Sequence, residues 1–281
     1  MALKDMLVHL DASEQGAARL DLAASLAAAH DAHLVGLHVT EIRLPPGLTA
    51  DAGGAALGLV MARLREEDAA EAASAKARFE DRIRRDGLMG EWRAVLGRAV
   101  ETVAMQARHA DLTILGQPQP DSDNARFSED LLEGVLFASG RPVLMVPYAG
   151  RFGAVGSRVL IGWNATREAA RAVADAMPFL SGAEEVVLLA INPSQGLEGH
   201  GELPAADMAQ HLARHGVKAS AQQVVSRDVP EADVLLNTAA DLGADLIVMG
   251  AYGHSRLRQM VFGGVTRGIL SRMTVPVLLS H

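Results

Sequence analysis

The segment Met249–Thr266, MGAYGHSRLRQMVFGGVT, gathers the residue types from which an anion site is built. Gly250 and Gly253 follow the apolar run DLIVM, and Gly263 and Gly264 stand further on. Between them His254, Ser255, Arg256 and Arg258 add positive charge and hydrogen-bond donors. Backbone amides at a helix N-terminus, approached through a glycine loop, bind phosphate and similar anions. The plainer reading is that Gly250 and Gly253 only make a strand-to-helix turn. A second group, His200, His211 and His215, lies in HGELPAADMAQHLARH. His211 and His215 are four apart on an expected helix, so they face one way with zinc-ligand spacing. No Glu follows His211 and the third ligand would come from a loop. A solvated helix face is the better reading, and no metal is expected.

The elements that must position these residues occur twice. MLVHLDASE (6–14) resembles VLIGWNATR (159–167), which sets Asp11 against Asn164 and Ser13 against Thr166 at an offset of 153. ADLTILG (110–116) matches ADLIVMG (244–250) at an offset of 134, and Pro142-Val-Leu matches Pro276-Val-Leu without a gap. Such self-similarity marks a duplicated unit. The glycine-rich stretch YAGRFGAVGS (148–157) lacks apolar periodicity and reads as the linker, which gives domains at 1–150 and 151–281. In the first half, apolar strands MLVHLD, HLVGLHV, WRAVL, LTILG and PVLMV alternate with helices near 13–30, 59–85, 99–109 and 127–139. Residues 42–58, with two prolines and several glycines, read as loop. In the second half, VLIGW, EVVLLAI, KASAQQVV, DLIVMG and VPVLLS alternate with helices at 166–180, 204–215, 230–242 and 259–272. Strands that are apolar throughout and separated by helices form parallel sheets covered on both faces. The expected fold is therefore α/β: two tandem doubly wound domains, each a five-stranded parallel sheet with helices on both faces.

Composition narrows the function classes. The 281 residues carry a formal charge of −8, which disfavours a general polyanion partner. Aromatic residues are only 4%, too few for a base-stacking surface, so no nucleic acid is expected. The absence of cysteine removes thiolate metal sites and cysteine nucleophiles. No run approaches the ~20 apolar residues that span a bilayer, and the first residues hold no apolar run of signal-peptide length. The cytoplasm is the expected compartment, with no membrane partner. There is no nucleophile elbow, no P-loop Gly-Lys-Ser/Thr and no dinucleotide Gly-x-Gly-x-x-Gly.

The spacing Gly250-x2-Gly253-x9-Gly263-Gly264 resembles the ATP-binding signature of the universal stress protein family. The likeness extends over both halves, through the first-strand ends Asp-Ala-Ser and Asn-Ala-Thr, the Ala-Asp-Leu fourth strands and the Pro-Val-Leu fifth strands. A chain with two such halves is similar to a tandem, two-domain universal stress protein. The resemblance implies a Rossmann-like domain holding ATP, or ADP or AMP, with Mg2+ as companion ion, at the carboxyl edge of the sheet. It places phosphates at Gly250, Gly253, His254, Gly263, Gly264, Val265 and Thr266, and adenosine at Gly162, Trp163, Asn164, Ala165 and Ile191. Two departures stand out. Gly264 takes the place of a usual Ser or Thr, for which Thr266 is the expected substitute, and Asn164 replaces an Asp, keeping an amide oxygen that can accept from a ribose hydroxyl.

The 134-residue offset sets Gln119 against Gly253 and Glu129-Asp130 against Gly263-Gly264. At ~5 Å and an effective dielectric of ~20, each carboxylate–phosphate pair costs roughly 3 kcal/mol. Pro118 and Pro120 also remove two backbone donors. The first half is therefore expected to bind no ATP and to act structurally. The expected assembly is an intrachain pseudo-dimer of the halves, meeting through VLMVP and VPVLLS, because an unpaired edge strand needs a partner. A homodimer of chains through the long helix could be added. No carboxylate in the glycine loop is placed to activate water, so the expected activity is binding, with slow ATP hydrolysis at most. A nucleotide-free interaction scaffold and a weak ATPase are the alternatives.

Overall fold

The structure is a computed structural model and describes residues 2–41, 54–117, 125–193, 205–251 and 264–281. In the first half, β1 (Asp5–His9), β2 (His33–Thr40), β3 (Gly90–Leu96), β4 (Leu112–Gly116) and β5 (Val143–Val146) alternate with α1 (Glu14–His30), α2 (Gly54–Asp86), α3 (Ala99–Ala107) and α4 (Ala125–Ser139). The second half repeats the order. There β6 (Arg158–Gly162), β7 (Glu185–Ile191), β8 (Ala219–Val224), β9 (Leu246–Gly250) and β10 (Val277–Ser280) alternate with α5 (Arg167–Leu180), α6 (Ala206–Arg214), α7 (Glu231–Leu242) and α8 (Gly264–Arg272).

Each half is a parallel five-stranded sheet, yet the two sheets are one. The strand order is β3-β2-β1-β4-β5-β10-β9-β6-β7-β8, and only the central pair, β5 with β10, is antiparallel. Val143, Leu144 and Met145 face Leu279, Leu278 and Val277 across that seam, all with no exposed surface. Alternation along the strands splits the core between two faces. Met6, Val8, Leu112, Ile114, Ile161 and Val248 point toward α1, α2, α5 and α6. Leu7, Leu115, Val143, Leu160, Ile247 and Val277 point toward α3, α4, α7 and α8. No helix among the described residues is long and apolar enough to cross a membrane.

The repeated Ala-Asp-Leu has a structural cause. Asp245, just before β9, accepts backbone N–H bonds from Gly156, Ser157 and Arg158 at 2.8, 3.0 and 3.2 Å. Asp111, just before β4, does the same for Lys4 and Asp5 at 2.8 and 3.1 Å. Each carboxylate thus tethers the start of the first strand to the start of the fourth.

The first helix of each half begins where a short polar side chain serves its free amides. Ser13 caps α1 through Gly16 N–H, and Thr166 caps α5 through Ala169 N–H. The expected loop at 42–58 is too long at its far end: α2 starts at Gly54. The two alanines and two leucines of GAALGLV favour helix strongly enough to carry it past Gly58. At 33 residues α2 is about 50 Å long, and it packs on the sheet through buried Ala75 and Phe79. Phe79 in turn meets Trp92 of β3, with ring centroids 5.8 Å apart.

Candidate functional site

In each half the chain winds outward from its first strand, then crosses to that strand's other side. The order therefore reverses between β6 and β9, and between β1 and β4. Connections leave such strands in opposite directions and open a crevice at the carboxyl edge. In the second half Gly162 closes β6, opposite Leu189 of β7 and Met249 of β9. Trp163, Asn164 and Ala165 follow on that edge, where Gly250 ends β9 and Ile191 ends β7. Because α8 returns from β9 to the parallel strand β10, its first residues, Gly264, Val265 and Thr266, start on the same edge. Gly253, His254 and Gly263 lie outside the described residues.

The turn after β6 is built by its own side chains. Thr166 donates its hydroxyl to Asn164 Oδ1 at 2.8 Å and its backbone N–H to the same oxygen at 3.3 Å. This corrects the expectation for Asn164: both lone pairs of its oxygen are engaged locally. The amide NH2 is what the exposed side chain offers, a donor instead of an acceptor. Ala165 is held at φ +54°, a left-handed conformation costly for a residue with a Cβ. Asn192, immediately after β7, sits at φ +47°. Its side chain bridges Glu231 Oε1 and the backbone N–H of Ser226, at 3.2 and 2.8 Å. Two left-handed residues at one sheet edge mark a turn region held by its surroundings. Sequence reading did not single out Asn192, although Asn after an apolar run is a turn signal.

Gly250 has a packing reason of its own. A side chain there would run into the backbone of Glu168 and Ala169, so the glycine lets β9 end against the first turn of α5. Gly264 is the opposite case: a Cβ there would meet nothing within 4 Å among the described residues, and the residue is exposed. Thr266 is buried beneath the start of α8, and Val265 is half-buried. Trp163 is half-buried against the core. Glu168, buried in the first turn of α5, pairs with Arg167 at 2.5 Å. Burial would raise its carboxyl, but Arg167 and backbone hydrogen bonding hold it below its usual range.

The same place in the first half is filled from within. Arg19 of α1, 4% exposed, lies against Gly116, where a Cβ would collide with its guanidinium. Its Nε donates to His9 O at 2.6 Å and its Nη2 to Asp11 Oδ2 at 2.8 Å. Burial works against the Asp11 carboxylate, yet Arg19 and the Ser13 hydrogen bonds prevail and bring its pKa to about 2. Helix α2 lies against the turn after β1. Arg78 donates to the carbonyls of Ala12 and Ser13 at 2.9 and 3.2 Å, and Glu71 accepts from Ala12 N–H at 3.4 Å. Asp68 accepts from the Thr40 hydroxyl at 2.5 Å and meets His38 Nε2 at 3.4 Å. The two acids expected opposite the phosphates, Glu129 and Asp130, are inside α4. Partial burial, followed by the charges of Asp130 and Glu129, raises the pKa of neighbouring Glu133. Arg19 escaped sequence reading, though the 153-residue offset sets it against Ala172 and could have exposed the exchange.

The rings of His211 and His215 lie side by side, 4.8 Å between centroids, on the exposed end of α6. His200 is outside the described residues. No group of three or more His, Asp or Glu among the described residues is placed to hold a metal.

The model of the universal stress protein family matches residues 158–281. A curated universal stress protein of Synechocystis sp. is 39% identical over 46 residues, a match spanning 16% of this chain and 16% of that protein. The crystal structure of a universal stress protein from Archaeoglobus fulgidus has the same fold at 17% identity. It covers 98% of this chain and 96% of that one, with a TM-score of 0.74. A further Archaeoglobus fulgidus structure, of the universal stress protein in complex with dAMP, covers 52% of this chain and 98% of its own, at 19% identity and a TM-score of 0.35.

Proposed function

Because residues 158–281 are a domain of the universal stress protein family, we propose that the second half is an adenine-nucleotide-binding module acting in stress adaptation. Adenosine then lies beside Gly162, Trp163, Asn164, Ala165 and Ile191. The phosphates of ATP, ADP or AMP take the backbone amides of Gly250, Gly253, Gly263, Gly264 and Val265, with His254 and Thr266 beside them. Mg2+ accompanies the phosphates. The first residues of α8 suit this role, since amides at a helix start lack partners within the helix and the helix dipole favours an anion there. Asn164 meets the sugar as a donor.

The observation that carries this reading is the contrast between the halves. Arg19 and α2 occupy the first crevice, whereas Asn164, Ala165 and Gly264 stand exposed around the second. Residues 1–150 act as the structural domain and 151–281 as the binding domain, in the cytoplasm, and the module binds without catalysing. Titration calorimetry with ATP and Mg2+ tests the reading. The expected result is one nucleotide per chain, with affinity reduced at least tenfold by Gly253→Glu, since a carboxylate beside phosphate costs roughly 3 kcal/mol. No heat with any adenine nucleotide would leave a nucleotide-free interaction scaffold. Steady phosphate release at saturating ATP would make the protein a weak ATPase.

A further inference from the structure

Gln117 is the first residue beyond β4, on the carboxyl edge of the first half, and it is 6% exposed. Its side chain is engaged at both ends. Oε1 accepts from the backbone N–H of Tyr148 at 3.0 Å, within its own half. Nε2 donates at 2.7 Å to the carbonyl of Leu270, in the last turn of α8 in the other half. Carbonyls of a last helical turn have no N–H partner ahead of them in the helix. Gln117 supplies one from outside. The repeat does not demand this residue, because Ala251 stands at the equivalent place and has no polar side chain.

We infer that Gln117 is a positioning residue for the nucleotide site of the second half, acting from the first half through α8. The inference rests on the nucleotide reading of that site. Helix α8 has nine residues and is about 13 Å long, short enough to move as one rod. Its start faces the crevice, and its end is held by Gln117. From α7 in the same half, Gly268 lets α8 lie against Ala232 and Arg272 pairs with Asp233, while Ile269 and Leu270 are buried in the core. The contacts with α7 fix the distance between the two helices. A hydrogen bond at the end of the rod sets its place along its axis, and with it the position of the amides that meet the phosphates. Hydrogen bonds weaken steeply as geometry degrades, so a small slip at one end is felt at the other.

The test uses the full chain with Gln117→Met, which keeps length and loses both bonds, and Gln117→Glu, whose donor depends on pH. ATP affinity is measured by calorimetry, and backbone amide exchange is followed over residues 264–272. Gln117→Met is expected to weaken ATP about fivefold, the scale of one lost hydrogen bond, and to speed exchange across α8. At pH 8 the carboxylate of Gln117→Glu has no proton for Leu270 O and behaves like Met. At pH 5 burial favours the protonated acid, which donates again, and affinity relative to wild type at the same pH recovers. Phe137→Ala, which loosens the separate inter-half contact with His281, is expected to leave ATP affinity unchanged. Unchanged α8 exchange in Gln117→Met, a Gln117→Glu deficit that ignores pH, or an equal loss in Phe137→Ala would each overturn the assignment. A wild-type chain that takes up no ATP would overturn the nucleotide reading instead, and exchange over α8 would still decide whether Gln117 holds the helix.

Discussion

Among the exchanges between the two crevices are His9 for Gly162, Asp11 for Asn164 and Arg19 for Ala172. Each removes a charged or titratable group from the later copy. The first leaves a measurable trace. Burial, followed by the Arg19 guanidinium and His38, lowers the pKa of His9 to about 4 from 6.5, against the opposing pull of Asp11. Below pH 6.5 the unfolded chain takes a proton that the folded chain refuses until about pH 4, so stability falls as pH falls through that window. His9→Asn should flatten this part of the profile. Urea midpoints at pH 7 and pH 4.5 should lie closer together in the variant than in wild type, and an equal separation would remove His9 from the account. The glycine pattern made one candidate anion site legible, and the repeat offset set Gln119, Glu129 and Asp130 at the matching places of the other copy. Neither could reveal that a guanidinium lies buried against Gly116, because an Arg in an Ala- and Leu-rich helix reads as an ordinary exposed residue. Nor could spacing show which end of the Asn164 amide is free, since Thr166 decides that through local hydrogen bonds.

Strands and helices were the most readable layer. Uninterrupted apolar runs such as LIVMG leave little choice but a strand buried on both faces. The start of α2 was misread because glycines usually signal a turn, while the good helix formers around them won here. The role of the Ala-Asp-Leu repeat was also hidden. It signals duplication in the sequence, and only the fold brings Asp245 to the three amides before β6. Asp245→Ala should cost about 2 kcal/mol in urea unfolding, since several backbone donors lose their acceptor together. Asp245→Asn, which keeps one oxygen, should cost less. Equal stability of all three proteins would show that water serves those amides well enough.

The continuous sheet makes the two halves depend on each other. Residues 151–281 expressed alone would expose β10, a strand with no surface-accessible side chain among Val277, Leu278 and Leu279 in the whole chain. Such an edge recruits another strand. The isolated half should therefore sediment as a dimer joined β10 to β10, and a stable monomer at micromolar concentration would contradict this. The antiparallel seam has one more result. Since β5 and β10 run in opposite directions, the carboxyl edges of the halves face away from each other. A small molecule docking beside Gly264 would therefore enter from the edge opposite the one where Arg19 and Asp11 lie, and that approach stays clear of them.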